Sequence, residues 1–359
     1  MQGSTKMFDA DGHIFENPSE IVEYLEAPYA AAKDRLARGL FPAMDSWNRT
    51  ALSVGGGYLE GSTTTRPGEE GTIERWLEFL DDAEIDGTVL YPTQGLGFGR
   101  VKEIDWGIAL AKAYNSWMHG KFLKESPRFK AMAILPVQDP QEAAKELRRA
   151  VTELGMVGGL LIAGFRKPLG DPYYFPIYEA AQELDTVLAV HAGGPGDRFP
   201  MLDRAIDARC LGHPTSLMTE MTSMMFSGVF DRYPAVRFSF LEGGIAWALC
   251  MLERMQEAYE QWAVQAPDLK KEPKEHLSGG KIFFHTELEE TVLPYAVQAF
   301  GDGALLYASD YPHINRRRIM NTLDGFNQRS DLTPEQKTRI LGENARKLYK
   351  LDQPALARA

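Results

Sequence analysis

The sequence predicts one α/β domain, a (β/α)₈ barrel of the TIM type. Three observations support this prediction: eight short stretches have the length and character of strands, amphipathic helical stretches separate them, and 359 residues suit one large barrel. Strands that are apolar along their whole length are typical of a parallel sheet covered by helices. We therefore expect a single domain over 1–359, with a lid insertion at about 40–72 and a C-terminal tail at about 352–359.

The first part of the chain predicts one strand, two helices and a long insertion. Residues 8–14 alternate polar and apolar side chains, which is the pattern of a strand with one polar face. Asn17 is placed to cap a short helix over 18–24. The segment 53–71 is rich in Gly, Ser and Thr, which predicts a lid or a disordered loop, and an apolar stripe then predicts a helix over 72–83.

The rest of the chain alternates regularly between apolar runs and stretches with helical spacing of apolar residues. The strands are predicted at 87–92, 129–136, 156–162, 186–191, 236–242, 281–285 and 304–310. The helices are predicted at 103–123, 141–154, 174–184, 215–230, 245–261, 293–300, 317–326 and 334–349. Thr333 is placed to cap the last of these helices.

Composition restricts the class of partner. The net charge of −11 argues against nucleic acid or an anionic membrane as the main partner. Cys210 and Cys250 are too few for a disulfide scaffold, which fits a reducing compartment. The chain has no apolar run of membrane-spanning length and no signal-peptide pattern at its start. We therefore expect a cytoplasmic enzyme with a small-molecule substrate.

Titratable residues recur at the predicted carboxyl ends of the strands, where barrels of this type place their active sites. They are Asp11 and His13 on the first strand, His191 on the fifth, Glu242 on the sixth, His285 on the seventh and Asp310 on the eighth. Carboxylate oxygen and imidazole nitrogen are ordinary ligands of divalent metals. Each residue alone has a structural explanation, but the six together favour a metal site at this end of the barrel.

Five stretches of the chain resemble the amidohydrolase-related (amidohydrolase 2) family. They are Asp9-Ala-Asp-Gly-His13, Val190-His191-Ala-Gly-Gly, Phe240-Leu-Glu-Gly-Gly-Ile-Ala-Trp247, Tyr307-Ala-Ser-Asp-Tyr-Pro-His313 and Ile340-Leu-Gly-Glu-Asn-Ala-Arg346. Within that family, the branch they resemble contains aminocarboxymuconate semialdehyde decarboxylase and the resorcylate-type decarboxylases. The resemblance runs from about residue 7 to 351 and implies a barrel fold, a single divalent metal and a homodimer.

The resemblance also implies a ligand set. By position, His13, His191 and Asp310 match the metal ligands of the family, and Asp11 replaces the first histidine of its His-x-His pair. We expect one divalent ion per chain, zinc first, with manganese or iron as alternatives because an oxygen ligand in place of nitrogen shifts preference toward harder ions. The fourth strand, ending at 162, lacks the lysine that binuclear members carbamylate, so a mononuclear site is expected.

Four residues are candidates for catalysis. Asp310 is expected to serve as a base as well as a ligand. Glu242 stands where the decarboxylases of this branch have a catalytic histidine, and its role as acid/base, substrate contact or structural acceptor stays open. His285 and His213 are expected as proton donors or substrate contacts, with a structural role as the alternative for each.

Three further residues are assigned to substrate binding. Gly243 precedes a predicted helix whose exposed backbone N–H groups could receive an anion. Trp247 belongs to the same stretch, and Arg198 is a candidate carboxylate clamp.

Two reaction types remain open from the sequence. The first is non-oxidative decarboxylation of an aromatic or unsaturated carboxylic acid. The second is hydrolysis of a lactone, ester or amide, or hydration, by metal-activated water, and the presence of Glu242 strengthens it. A non-catalytic binding protein is a third reading, and the retained His13, His191 and Asp310 argue against it.

Overall fold

Eight parallel strands follow one another in chain order, and each is hydrogen bonded to the next. The computed structural model describes residues 7–42, 71–164, 167–192 and 205–352. The strands are β1 Met7–Ile14, β2 Ile85–Pro92, β3 Phe129–Ile134, β4 Gly158–Ile162, β5 Val187–His191, β6 Arg237–Leu241, β7 Ile282–Thr286 and β8 Leu305–Tyr307. The predicted (β/α)₈ barrel is confirmed.

The last strand returns to the first, so the sheet closes on itself. Just beyond β8, the Asp310 N–H donates to the Asp11 carbonyl at 3.0 Å, and the His13 N–H donates to the Tyr311 carbonyl at 2.7 Å. These two hydrogen bonds join residues of the predicted metal site through their backbones. The line along which β1 meets the segment after β8, the seam of the barrel, therefore passes through the predicted metal site.

Helices separate the strands. Within the described ranges, the α-helices are Pro18–Ile21, Lys33–Leu36, Ile73–Asp82, Ile104–Met118, Pro140–Thr152, Phe175–Glu183, Ala205–Phe226, Val229–Arg232, Ala246–Trp262, Pro273–Leu277, Leu293–Phe300, Arg316–Gln328, Pro334–Thr338 and Asn344–Tyr349. The predicted caps are confirmed: the Asn17 side chain accepts from the Ser19 N–H and the Thr333 side chain from the Gln336 N–H. None of the helices in these ranges has the combination of length and apolar character that crossing a membrane requires.

Several helical predictions differ from the structure, including the helix predicted over 103–123, which ends at Met118 and is followed by a π-turn at His119–Leu123. The helix predicted to begin at 215 begins at Ala205 and carries Pro214 in its interior. A proline removes one N–H from the ladder. The neighbouring Thr215 hydroxyl donates to the Leu211 carbonyl. The closing helix predicted over 334–349 is interrupted by a π-turn at Arg339–Glu343.

A β-bulge shapes the first strand. Asp9 pairs with Thr88 and Gly12 with Leu90, so β1 holds one more residue than β2 between these two pairs. Gly12 is required there because a Cβ atom would lie 2.3 Å from the Trp76 ring. The bulge breaks the strict period of two that the sequence predicts for residues 8–14.

Several predictions fall on residues outside the described ranges. The lid predicted at about 40–72 lies mostly on 43–70, and the predicted tail lies mostly on 353–359. Arg198 also falls outside them. These three stay predictions.

Candidate metal centre

Two histidine rings meet at the carboxyl ends of β1 and β5. The His13 Nδ1 lies 2.8 Å from the Pro92 carbonyl and the His191 Nδ1 lies 2.9 Å from the Ala192 carbonyl. A carbonyl only accepts, so each Nδ1 carries the proton and each Nε2 carries a lone pair. Burial lowers the pKa of His191 to about 4 and holds that of His13 well below its usual range, so both rings are neutral near pH 7.

The two Nε2 atoms face each other at 3.4 Å. With both protons on Nδ1, this contact joins two acceptors and is not a hydrogen bond. Two lone pairs at that distance repel each other unless a cation lies between them. Neutral imidazoles oriented by carbonyl groups are the usual form of histidine ligands.

Asp11 adds a negative charge to this pair. Its carboxylate has no exposed surface, and neither oxygen has a hydrogen-bond partner among the described residues. The nearest imidazole nitrogens are His13 Nε2 at 3.5 Å and His191 Nε2 at 3.8 Å. Burial, followed by the charges of Glu242 and Asp310, raises the pKa of Asp11 well above its usual range. An uncompensated buried carboxylate is costly, and a divalent cation would offset that cost.

Asp310 completes the predicted ligand set. Its Oδ1 lies 3.7 Å from His13 Nε2 and accepts from His313 Nδ1 at 2.8 Å. The backbone of Asp310 has a φ of 53°, in the left-handed region that non-glycine residues rarely adopt, and such residues cluster at functional sites. The structure thus brings the four predicted ligands together, in two overlapping groups of potential ligand atoms that share His13.

His313 is a site residue to which the sequence analysis gave no role. Its ring stacks on that of His13 with centroids 4.2 Å apart, and its Nε2 lies 2.8 Å from the Thr93 hydroxyl. Its Nδ1 holds the Asp310 carboxylate. The signal was present in the Asp-Tyr-Pro-His stretch, where a histidine follows a candidate ligand by three residues.

Glu242 lies beside the ligand set and contacts the two histidines predicted to be catalytic, His213 and His285. Its Oε2 lies 3.4 Å from His213 Nδ1 and 3.8 Å from His191 Nδ1. Its backbone N–H donates to His285 Nδ1 at 3.0 Å. Glu242, like Asp310, follows its strand and lies in the left-handed region, with a φ of 58°. Glu242 therefore contacts His213 and His285, and its carboxylate lies within 4.8 Å of a potential ligand atom of Asp310.

Asp9 supports the site without joining it. Its Oδ1 accepts from the backbone N–H groups of Ser309 and Asp11, and its Oδ2 accepts from the hydroxyls of Thr88 and Ser309. These bonds tie β1 to β2 and to the segment that follows β8.

The predicted substrate-binding residues are placed differently. The N-terminus of the helix Ala246–Trp262 is already occupied, because the Glu290 carboxylate accepts from the Ile245 and Ala246 N–H groups. These two donors are therefore engaged within the protein, and the substrate-anion contact expected at this turn stays a prediction. Sequence gave no signal for this, since Glu290 lies far along the chain. Gly243 stays a prediction.

Trp247 is placed in the packing around the barrel. Its ring contacts Phe240 and Phe284, with centroids 6.0 and 5.9 Å away. Phe284 in turn packs on Phe300 of a surrounding helix, so this aromatic cluster lies between sheet and helices. The structure gives Trp247 a packing position, and its predicted substrate contact stays a prediction.

Comparison with known proteins identifies the family to which the chain belongs. A sequence profile described as amidohydrolase matches residues 9–351, so the chain belongs to the amidohydrolase family. The chain is 28% identical over 262 residues to a gamma-resorcylate decarboxylase of Polaromonas sp., covering 68% of this chain and 77% of that one. It is 27% identical over 289 residues to the 2-amino-3-carboxymuconate-6-semialdehyde decarboxylase of Dictyostelium discoideum, covering 77% and 76%. The branch named from the sequence is confirmed.

A solved structure agrees in fold. The dihydroxybenzoic acid decarboxylase of Polaromonas sp., crystallised with manganese and the inhibitor 2-nitroresorcinol, superposes with a TM-score of 0.71. The match covers 98% of each chain at 19% identity.

Proposed function

We propose that this member of the amidohydrolase family is a metal-dependent, non-oxidative decarboxylase of an aromatic or unsaturated carboxylic acid. One observation carries the metal dependence: the unpartnered, buried Asp11 carboxylate faces the two Nε2 lone pairs of His13 and His191. The reaction type is supported by the relatives described above, which are decarboxylases.

Asp11, His13, His191 and Asp310 would hold one divalent ion. When bound, the ion supplies a positive charge that stabilises negative charge on substrate oxygens. Zinc was the expectation from the family, whereas the related crystal structure holds manganese. A ligand set with two carboxylates favours a harder ion such as manganese more strongly than a set made only of imidazoles does.

The reaction requires a proton. The bond between the ring carbon and the carboxyl carbon breaks, CO2 leaves, and the electron pair left on the ring carbon takes up a proton. Glu242 and His213, whose side chains approach to 3.4 Å, are the acid–base pair next to the ligand set. We assign the proton delivery to this pair, because Glu242 occupies the position of the histidine that the decarboxylases of this branch use.

Hydrolysis or hydration is the second candidate, and the Glu242 substitution is the observation that favours it. In that reaction Asp310 would act as the base toward water. The two reactions differ in what leaves and what enters. Release of CO2 from a substrate such as 2,6-dihydroxybenzoate, without entry of oxygen from ¹⁸O-labelled water, supports decarboxylation. Entry of ¹⁸O into the product of a lactone or ester supports hydrolysis.

Metal content tests the proposal first. We expect about one zinc, manganese or iron per chain in the wild type and little in His191→Ala, measured by elemental analysis. A chain that holds no ion even after incubation with excess divalent metal would overturn the metal-dependent function.

Assembly and location complete the proposal. The family resemblance supports a homodimer, which sedimentation would test. The composition and the two cysteines support a cytoplasmic location.

A further inference from the structure

His285 differs from the two candidate ligand histidines in its tautomer. Its Nδ1 lies 3.0 Å from the backbone nitrogen of Glu242. A backbone N–H only donates, so Nδ1 must accept, and the proton of the neutral ring lies on Nε2. His13 and His191 have the opposite arrangement, with the proton on Nδ1. His285 therefore presents a donor where the other two present lone pairs.

The Nε2–H of His285 has no hydrogen-bond partner among the described residues, and the side chain is 2% exposed. The nearest carboxylate oxygen, Glu287 Oε1, lies at 4.0 Å, beyond hydrogen-bond distance. Leaving a buried donor unpaired is costly, so native structures seldom contain one without a reason.

The side chain points toward the interior of the barrel. Its neighbour on β7, Phe284, packs outward on Phe240 and Phe300. Successive residues of a strand face opposite sides, so His285 faces inward, at the same end of the barrel as His191 and Glu242.

The backbone around Glu242 is built to hold this donor in place. Glu242, Gly243 and Gly244 all have positive φ values, of 58°, 108° and 66°. Glu290 then fixes the start of the next helix through the Ile245 N–H. The turn after β6 is thereby fixed at both ends, and with it the N–H that sets the His285 tautomer.

We propose that His285 binds the substrate by donating its Nε2–H to an acceptor oxygen, a carboxylate or phenolate oxygen of an aromatic acid. This assignment rests on the proposed function, because it concerns the substrate of the same site. As a donor, His285 favours substrates with an anionic oxygen at that position. An analogue with an amine there would place two hydrogen-bond donors against each other.

Two variants separate the donor from the structural contact. In His285→Asn, the amide oxygen can replace Nδ1 as acceptor for the Glu242 N–H, but the donor at the Nε2 position is lost. In His285→Gln, the amide nitrogen can replace Nε2 as donor, while the acceptor near the backbone is lost. We expect His285→Asn to weaken binding of 2-nitroresorcinol and 2,6-dihydroxybenzoate roughly tenfold or more, with metal content and Tm close to wild type. His285→Gln should keep more of the affinity and lose more of the Tm.

Calorimetry on the zinc-loaded protein measures the affinities, and ¹⁵N NMR of the histidine rings measures the tautomer without any turnover. A proton on Nε2 of His285 together with the expected order of affinities supports the proposal. A proton on Nδ1, or an Asn variant that binds as tightly as the wild type, overturns it. If the zinc-loaded wild type binds neither aromatic compound, the substrate class of the proposed function fails, and with it the oxygen assigned to His285.

Discussion

Asp9 and Asp11 lie two residues apart on β1, and neither has any exposed surface. Asp9 accepts four hydrogen bonds, from Thr88, from Asp11 and twice from Ser309. Asp11 accepts none from the described residues and faces two imidazole lone pairs. Burial raises the pKa of both carboxyl groups, but only around Asp9 do hydrogen bonds oppose the rise.

The difference teaches that burial of a charge does not by itself mark a functional group. What marks it is whether the chain has compensated for the burial. At Asp9 the compensation is complete within the protein, and the carboxylate serves to join strands. At Asp11 it is missing, and this difference is the observation on which the proposed metal ion rests. Substitution of each aspartate separates the two cases.

The largest effect is expected for Asp11→Asn. The variant keeps the shape and removes the charge, so we expect metal content near zero and activity at least about 100-fold lower, beyond the 10–100-fold range of residues that only support ligands. The ion-free variant should be as stable as ion-free wild type or more stable, because an unpaired buried charge is gone. Elemental analysis and urea unfolding with a chelator measure both. A marked loss of ion-free stability would show that Asp11 is compensated after all.

Asp9→Asn should behave in the opposite way. Its new amide hydrogens would point at donors that now bond the carboxylate, so we expect the free energy of unfolding to fall by about 3 to 4 kcal/mol, with or without metal. Thr88→Val, which removes one of the four donors, is the matched control and should cost less. Equal urea midpoints for Asp9→Asn and wild type would show that the four hydrogen bonds do not make Asp9 different from Asp11.

The third prediction concerns the pH dependence of the ion-free protein. The pKa of His191 is lowered to about 4 in the fold, against about 6.5 in the unfolded chain, so between these values the unfolded state binds more protons. His191 therefore contributes stability that is fully present above about pH 6.5 and is lost as pH falls toward 4, by up to about 3 kcal/mol.

The acids Asp9 and Asp11 titrate with the opposite sign, so the informative quantity is the difference between wild type and His191→Asn. The asparagine keeps the donor to the Ala192 carbonyl and removes the titration. Urea unfolding of chelated protein at several pH values between 4 and 7 measures it. The same slope in both proteins would show that His191 is not held neutral.

The smallest effect is expected for Trp247→Phe. The Trp247 Nε1 is buried without a hydrogen-bond partner in the described part of the chain, as Asp11 is, but it carries no charge and lies in the aromatic packing. We expect a change in stability of at most about 1 kcal/mol and an unchanged KM. A KM raised severalfold with unchanged stability would restore the substrate contact predicted from sequence.

The sequence was informative where chemistry and local pattern coincide. Apolar runs predicted seven of the eight strands, and an alternating pattern predicted the first. Strand-end positions predicted a polar cluster at one end of the barrel, because a barrel brings all strand ends to one side, and the family resemblance selected Asp11, His13, His191 and Asp310 from it as ligands. Pattern could not predict the bulge at Gly12, which depends on the distant Trp76 ring. Nor could it predict that Glu290 fills the helix N-terminus after Glu242, since that contact depends on how two loops lie side by side.

The hydrogen bonds between Asp310 and Asp11 and between His13 and Tyr311 have a consequence for biosynthesis. The two ends of the ligand set are about 300 residues apart in the chain. At about 5–20 residues per second, roughly 15–60 s of translation separate Asp11 from Asp310. During that interval the nascent chain contains only part of the proposed ligand set. A released fragment that ends before β8 would lack Asp310 and the backbone hydrogen bonds that close the barrel. The complete set of proposed ligands is therefore available only after the last strand has been synthesised.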